Sequence, residues 1–567
     1  MDRRQTQLPT VAYFSMEVGL DPSMPTYSGG LGILAGDCLR AAADLGIPMV
    51  GITLLQHKGY FRQRLDAQGN QTESPVDWDP AEHLEQLPTR VSVTIEGREV
   101  WIGVWRYVVL GVSGNEAQVY FMDTAVPGNS PWDQTLTDYL YGGDDHYRLC
   151  QEVVLGLGGV AMLRALGYND VHAYHMNEGH SALLTLALLE EQAIRSGLPA
   201  ANKANIEAVR EQCVFTTHTP VPSAIDKFPL PLVRQVLGEE KTSNLIAVDC
   251  LRDNTLNTTF LALLFSRYIN GVSMRHEEIS HGMFPNYPIN SVTNGVHALT
   301  WTSEPFRRLY DRHIPEWRHD NLYLRYAISI PLSEVRQAHL QAKQELLAEV
   351  KRRTGIDLNP SVMTLGFARR MATYKRPELL FTDPERLKKI ARQVGPLQVI
   401  YGGKAHPRDE GGKALIRHIF QAAAALKDTI NVVFLEEYDM ALAKFVCAGV
   451  DLWLNTPQKP FEASGTSGMK AALNGVPSLS ILDGWWVEGH VEGVTGWSIG
   501  ESWQESNPAQ EVTALYDKLE NIIVPMFYHQ PTAYDSVMCR SIALNGSYYN
   551  AQRMIFQYME HAYMPYH

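Results

Sequence analysis

Short apolar runs, separated by glycine-rich turns and helical stretches, extend along most of this chain. The runs have the length and composition of buried strands and end where polar or glycine residues begin. They predict strands in residues 11–17, 48–55, 118–125, the beginning of 213–228, 362–367, 397–404, 430–436, 451–454 and 478–482. Helical periodicity predicts helices in residues 144–166, 181–189, 332–352, 440–449, 511–528 and 541–563. Because strands that alternate with helices form parallel sheets with right-handed crossovers, the pattern predicts an α/β fold.

One segment follows a different period. Residues 91–109 alternate between apolar and polar positions, which is typical of an antiparallel hairpin. The hairpin predicts a decorated Rossmann-like lobe in the first half of the chain.

The composition is that of an ordinary globular protein with an acidic balance. The chain has 567 residues, 45% of them hydrophobic, and a formal net charge of −13. It is too long for one hydrophobic core, and its charge disfavours nucleic acid or an anionic membrane as a partner. We find no apolar run of about 18 residues and no signal peptide, so we expect a cytoplasmic protein. A phosphate ligand would need a local cluster of cations.

Cysteines and histidines do not predict a metal site. His172, His175 and His180 lie close together in sequence, but they lack a clear i, i+4 helical spacing and a pair of flanking carboxylates. We expect this segment to be a strand end that lines a cleft. The cysteines have no CxxC spacing and are expected to be reduced core thiols. They are Cys38, Cys150, Cys213, Cys250, Cys447 and Cys539.

The most informative stretch is 461–488. Small and hydroxylated residues at 463–468 precede Lys470, which lies in a helix-favouring run. A glycine-rich turn that leads into a helix directs backbone N–H groups toward an anion such as a phosphate. A lysine one turn inside that helix can do covalent chemistry beside the anion. On this stretch alone, an ordinary solvated lysine is an equally good interpretation.

Two further segments have the composition of an anion site. Arg369, Arg370, Lys375 and Arg376 fall within eight residues directly after the predicted strand at 362–367. The glycine turn at 28–32 follows the first strand and opens a helix, although it lacks the GxGxxG spacing of a dinucleotide site. A solvated basic patch and a plain tight turn are the alternatives.

Together these motifs resemble those of the α-glucan (glycogen, starch or maltodextrin) phosphorylase family, in its short prokaryotic-type branch. The matching segments are EASGT at 462–466 with Met469-Lys470, GGLG at 29–32, THT at 217–219, 266–278, 291–301 and the cation cluster. The resemblance implies the GT-B architecture, in which two Rossmann-like lobes with parallel sheets face a cleft. We therefore predict a first lobe at 1–320, a second lobe at 321–540, and a helix at 541–567 that packs back on the first lobe.

The resemblance implies pyridoxal 5′-phosphate as the cofactor, bound covalently to Lys470. The residues that match cofactor contacts of the family are Arg369, Thr466, Ser467, Gly30 and Trp301.

The resemblance also implies a reaction, the retaining phosphorolysis of α-1,4-glucans by orthophosphate to give glucose 1-phosphate. The matching catalytic candidates are Lys470, Arg370, Lys375 and His218. The matching substrate contacts are Glu17, Gly29, Gly30, Leu31, Asn294, Glu462, Ala463, Ser464 and Gly465. One position departs from the family, because Arg267 stands where long members have a sugar-contacting histidine, so recognition of the sugar 6-hydroxyl stays open.

Two other functions fit part of the pattern. A glycosyltransferase of the glycogen-synthase type would share the glycine turn and the cations but needs no lysine at position 470 and no pyridoxal phosphate. A non-catalytic glucan-binding protein would need neither, and the presence of Arg370, Lys375 and Lys470 argues against it. We see no counterpart of the amino-terminal regulatory extension of long members and expect no nucleotide or phosphorylation control by that route. The sequence leaves open whether the chain forms a homo-oligomer.

Overall fold

The computed structural model describes residues 8, 10–221, 225–504 and 506–564. Pro222, in the loop predicted after the strand at 213, lies outside these ranges, as do the outermost residues of the predicted lobes.

Twenty strands form within the described residues. They are β1 Val11–Phe14, β2 Met49–Leu54, β3 Arg62–Leu65, β4 Gln71–Ser74, β5 Glu85–Ile95, β6 Arg98–Leu110, β7 Glu116–Asp123, β8 Ala173–Asn177, β9 Cys213–Thr216, β10 Lys227–Pro229, β11 Leu251–Arg252, β12 Thr255–Asn257, β13 Tyr268–Gly271, β14 Asn290–Ser291, β15 Met363–Ala368, β16 Leu397–Gly402, β17 Asn431–Leu435, β18 Leu452–Asn455, β19 Ser478–Ile481 and β20 Gly496–Ile499.

The α-helices of the described residues connect these strands. They are α1 Gly30–Leu45, α2 Asp145–Val153, α3 Gly159–Ala165, α4 Leu184–Ser196, α5 Lys203–Arg210, α6 Leu230–Ala247, α7 Thr258–Leu264, α8 Met274–Met283, α9 Ala298–Trp301, α10 Glu304–His313, α11 Leu332–Thr354, α12 Pro384–Gln393, α13 Glu410–Leu426, α14 Met440–Gly449, α15 Ser467–Ala472, α16 Trp486–Gly489, α17 Pro508–Lys518, α18 Val524–His529, α19 Pro531–Arg540 and α20 Ala551–Tyr558.

The first half of the chain builds one large sheet. Its strand order is β14-β13-β9-β8-β1-β2-β7-β6-β5, and every neighbouring pair from β14 to β7 is parallel. β6 runs antiparallel to β5 and to β7, as the alternation at 91–109 predicts. The central strands β1 and β2 are buried along their whole length, which explains why they are continuous apolar runs.

The second half builds a fully parallel sheet with the order β17-β16-β15-β18-β19-β20. The α/β fold with two parallel-sheet lobes is therefore confirmed. The sequence did not predict β20, which forms the edge of this sheet.

The predicted helix at 144–166 has an irregular centre. Its α-helical parts α2 and α3 flank a π-helical turn, Val154–Gly158. The glycines here allow close packing, since a Cβ on Gly156 would lie 2.6 Å from the backbone nitrogen of Leu184, and one on Gly159 would lie 2.5 Å from the ring of Phe14.

The end of the described chain packs on the first lobe. Asn550 forms a parallel bridge with Val296, and α20 packs against α1. The hydroxyl of Tyr563 lies 2.6 Å from Nδ1 of the buried His175 on β8. Residues that are distant in sequence thus complete the core beneath the first sheet.

The molecule has large apolar cores on both sides of its interlobe cleft. None of the helices within residues 10–221, 225–504 and 506–564 has both the length and the apolar character needed to span a membrane.

Candidate active site

A cavity of about 560 Å³ lies between the two lobes, where the carboxyl ends of both sheets meet. Ligand sites of open α/β sheets form at these strand ends. Each site residue predicted from the sequence lines this one cavity: Glu17, Gly29, Gly30, Leu31, His218, Asn294, Trp301, Arg369, Arg370, Lys375, Glu462, Ala463, Ser464, Gly465, Thr466, Ser467 and Lys470. The roles of these residues stay predictions.

Lys470 lies in the short helix α15 with 8% of its surface exposed. Its Nζ lies 3.7 Å from the centroid of the Trp301 ring, and the Trp301 indole donates to Oδ2 of the buried Asp37 at 2.8 Å. Burial lowers the pKa of the Lys470 amine, while Asp37 partly opposes that shift. A buried amine with a lowered pKa is a better nucleophile at neutral pH than an ordinary lysine.

The cations after β15 surround one carboxylate. Glu462 accepts two hydrogen bonds of 2.8 Å from Nζ of Lys375, and Nη2 of Arg369 lies 2.7 Å from its Oε2. Burial alone would raise the pKa of Glu462, but Arg369 and Lys375 lower it below its usual value. The carboxylate is therefore ionised and compensates one of the positive charges.

Arg370 extends into the cavity. No carboxylate of the described chain forms an ion pair with it, and more than a third of its surface stays open to the cavity. Enclosure within the walls of the cavity would lower the pKa of Arg370, but the neighbouring Tyr374 raises it. The cluster of Arg369, Arg370, Lys375 and Glu462 thus has an excess of positive charge, as a phosphate site in an acidic chain requires.

Tyr374 is a cavity residue that sequence reasoning missed. Burial would raise the pKa of its hydroxyl, but Lys375 and Arg370 bring it below the usual tyrosine value. Its position in the sequence between Arg370 and Lys375 could have identified it as a site residue.

The glycine turn faces the cavity from the first lobe. A Cβ on Gly29 or Gly30 would meet no atom within 4 Å, and α1 begins at Gly30. Glu17 holds the turn, because its Oε2 accepts from the backbone nitrogens of Ser28 at 2.6 Å and Gly29 at 3.3 Å. The amides that can face a ligand are therefore those in the first turn of α1, after Gly29.

His218 follows β9 and is uncharged at neutral pH. Burial, together with the nearby His276, lowers its pKa to about 3. Its Nε2 lies 2.6 Å from Oδ1 of Asn177, and the Asn177 amide nitrogen donates to Ser15. Because the Asn177 oxygen must accept, His218 is protonated at Nε2, and its Nδ1 is a hydrogen-bond acceptor.

Arg267 does not reach the site. It precedes β13, at the end of the strand opposite the cavity, and its Nη2 donates to the carbonyl of Ala562 at 2.9 Å. The comparison of this position with a sugar-contacting histidine is therefore wrong. Val272, after the other end of β13, lines the cavity instead.

The polar groups of the cavity fit a phosphorylated aldehyde beside Lys470 and a ligand with several hydroxyl groups. The buried atoms Nε of Arg369, Oγ of Ser464 and Oδ1 of Asn294 have no hydrogen-bond partner within the described residues, and all three residues line the cavity. Buried polar groups are rarely left unpaired in folded proteins, so these atoms indicate ligand contacts. Asp37, Glu178 and Asp226 were not predicted, since carboxylates inside apolar segments carry no motif.

Comparisons with known proteins agree with this arrangement. The family model described as carbohydrate phosphorylase matches residues 238–496. The maltodextrin phosphorylase of Thermococcus litoralis is 38% identical over 98% of this chain and 70% of its own length. The glycogen phosphorylases of Aquifex aeolicus and Mycobacterium tuberculosis are 36% and 35% identical over 98% of this chain, and the matches cover 86% and 71% of those proteins.

Proposed function

Because this chain belongs to the carbohydrate phosphorylase family, we propose that it cleaves α-1,4-glucans with orthophosphate and releases glucose 1-phosphate with retention of configuration. The relatives named maltodextrin and glycogen phosphorylase support the substrate class. One observation carries the proposal: a buried lysine without an ion-pair partner in the described chain shares a cavity with an excess of cations.

Members of this family generally depend on pyridoxal phosphate, and we propose that Lys470 holds it here. Arg369, Thr466 and Ser467 would hold its phosphate, while Gly30 and Trp301 would border its ring. When bound, pyridoxal phosphate supplies a second phosphate that can share a proton with orthophosphate. Two adjacent phosphates repel, so one of them must hold a proton, as in carboxylate pairs.

Orthophosphate would bind through Arg370, Lys375 and the amides that begin α1. Arg370 can donate two parallel hydrogen bonds to phosphate oxygens. The cations would hold the phosphate on one face of the glucosyl unit, where it first protonates the glycosidic oxygen and then attacks the anomeric carbon. Their positive charge would hold the phosphate anions against the oxocarbenium-like transition state.

The sugar would be oriented from both lobes. His218 would accept a hydrogen bond from a sugar hydroxyl at Nδ1, so we assign it a positioning role and no proton transfer. From the first lobe, Asn294 would form a hydrogen bond with a sugar hydroxyl. From the second lobe, Glu462 and the backbone of 463–465 would bind further sugar hydroxyls. Closing the cleft would exclude water, which otherwise competes with phosphate for the glucosyl group.

The test is a phosphorolysis assay with defined maltodextrins. The wild-type protein, supplied with pyridoxal phosphate, should release glucose 1-phosphate from maltoheptaose and orthophosphate. Borohydride reduction followed by peptide mass spectrometry should place the cofactor on Lys470.

Two variants sharpen the assay. Lys470→Ala should abolish both activity and labelling. Lys444 is a half-buried lysine that does not line the cavity, so Lys444→Ala should keep the label on Lys470. Glucosyl transfer from a nucleotide sugar without the cofactor, or glucan binding without product release, would contradict the proposal.

A further inference from the structure

A hairpin of the first lobe crosses to the second lobe. Strands β3 and β4 pair only with each other in the described structure, and their inward side chains Gln63 and Gln71 are 0% and 7% exposed. Two buried amides in short, mostly exposed polar strands must be paired, because an unpaired buried amide is costly.

Both glutamines bond to the backbone of the second lobe. Nε2 of Gln63 donates to the Gly403 carbonyl at 2.9 Å, and its Oε1 accepts from the Glu437 nitrogen at 2.9 Å. Nε2 of Gln71 donates to the Ala405 carbonyl at 2.8 Å, and its Oε1 accepts from the Ala405 nitrogen at 3.0 Å. The two side chains also bond to each other at 2.8 Å. Only a side-chain amide can donate and accept in this way.

Charged and apolar contacts surround this pair. Nη1 of Arg64 lies 2.8 Å from Glu436, and Nζ of Lys413 lies 3.1 Å from Glu73. At the hairpin turn, a Cβ on Gly69 would lie 2.5 Å from the Phe420 ring of α13. The hairpin therefore packs on the residues that follow β16 and β17 and on α13.

The segment that the glutamines hold supports the site cations on its other side. The carbonyl of Gly402 accepts from the Arg369 nitrogen at 3.1 Å, and the carbonyl of Lys404 accepts from the Met371 nitrogen at 2.9 Å. The contact is tight, because a Cβ on Gly403 would lie 1.9 Å from the Arg369 carbonyl oxygen. Residues 402–405 thus lie between the hairpin of one lobe and the backbone of Arg369 to Met371.

We propose that Gln63 and Gln71 are positioning residues for the phosphate-binding cations, acting through residues 402–405. This inference rests on the proposed function, since it assigns Arg369 and Arg370 to phosphate. The first lobe contributes to phosphate affinity through two amides that do not line the cavity. Loss of these amides leaves the backbone groups of Gly403, Ala405 and Glu437 unpaired and allows the cation segment to move.

The test is the double substitution Gln63→Met and Gln71→Met in the full-length protein with its cofactor. Methionine has a similar length and shape, but it cannot donate a hydrogen bond to the backbone carbonyls and is only a weak acceptor for the backbone N–H groups. We expect the KM for orthophosphate to rise about tenfold, because the displaced cations hold the phosphate less well. The KM for maltoheptaose should change less than twofold, because the hairpin touches none of the predicted sugar contacts. Amide hydrogen exchange at Arg369 and Met371 should accelerate.

Gln68→Met, at the exposed turn of the same hairpin, is the matched control and should change none of these quantities. If the double variant does not fold, Gln71→Met alone is measured in its place. Unchanged phosphate KM with unchanged exchange at Arg369 and Met371 would overturn the inference. An equal rise of both KM values together with a lower Tm would also overturn it, since this pattern indicates general destabilisation. If the wild type releases no glucose 1-phosphate, the proposed function fails, and hydrogen exchange alone then decides on the hairpin.

Discussion

At the scale of residues, the site depends on charges whose partners come from different parts of the chain. Lys470 is buried against Trp301, and Trp301 is held by Asp37 from the first lobe. The amine and the carboxylate interact across the indole, so the charge on Asp37 adjusts the proton affinity of Lys470.

This interaction predicts the effect of Asp37→Asn. Asparagine can still accept from the Trp301 indole but has no charge, so the pKa of Lys470 should fall further below its usual value. In cofactor-free protein at pH 7, Lys470 should then react several-fold faster with an amine-directed reagent, measured by peptide mass spectrometry. Asp66→Asn, at the exposed hairpin turn, is the control with the same change in net charge. Slower labelling in Asp37→Asn would contradict the assigned interaction.

Residues within motifs could be predicted from the sequence, whereas the residues that position them could not. Lys470, Arg370 and the glycine turn stand in recognisable local patterns. The roles of Asp37 and Gln63 depend on hydrogen bonds to residues more than 200 positions away, and no local sequence pattern predicts such contacts. Arg267 shows the opposite error, because a matching residue string does not fix which end of a strand a side chain occupies.

At the scale of elements, the second sheet is tied to its longest helix by a buried polar group. Asp451, directly before β18, accepts from Nζ of Lys343 at 2.6 Å and from the Thr364 nitrogen at 2.7 Å, and it lies 2.9 Å from Nε2 of His339. Lys343 and His339 are on α11. Burial would raise the pKa of Asp451, but Lys343 and His339 lower it below its usual value.

Asp451→Asn should therefore destabilise the protein. Removing one partner of a buried pair leaves the Lys343 charge uncompensated, at a cost of about 3–5 kcal/mol. Since the folded-state pKa is depressed, the stabilisation by Asp451 is present above its unfolded pKa of about 3.9 and is lost as pH falls through the folded value. The difference in urea midpoint between wild type and variant should be large at pH 7 and shrink below about pH 4.

Asp428→Asn, which removes an exposed pair with Arg392, should leave the midpoint nearly unchanged. Equal midpoints for wild type and Asp451→Asn at pH 7 would refute the structural role of this pair.

Apolar strands were predictable because burial on both faces leaves a continuous signal. The hairpin β3–β4 was not, since its sequences RQRL and QTES are polar and are stabilised by contacts with the other lobe. The edge strand β20 was missed for a similar reason. It is four residues long, and the segment before it has no clear period.

At the scale of the whole molecule, both lobes and the returning helix meet around one cavity. The α/β fold and the two parallel sheets were predicted from the order of strands and helices. The lobe boundaries near residues 320 and 540 stay predictions. The docking of α20 depends on long-range contacts, such as the hydrogen bond of 2.9 Å from Nη2 of Arg553 to the Asn294 carbonyl.

Gly295→Ala tests this docking. A Cβ at this position would lie 2.1 Å from the carbonyl oxygen of Asn550, so α20 or the loop that carries Asn294 must shift. We expect a destabilisation on the order of 1–3 kcal/mol and a lower Tm, with faster proteolysis near 550–563. Gly282→Ala, where a Cβ meets nothing within 4 Å, should not lower Tm. Intact resistance of 550–563 to protease in Gly295→Ala would contradict this expectation.

The return of residues 550–563 to the first lobe has a consequence for biosynthesis. A ribosome makes β1 and α1 hundreds of residues before it makes Asn550, Tyr558 and Tyr563, which cover them. Part of the apolar surface of the first lobe therefore stays exposed to solvent until the second lobe and residues 550–563 have been synthesised. We therefore expect nascent chains to bind chaperones until residues 550–563 are made, long after synthesis of the first lobe is complete.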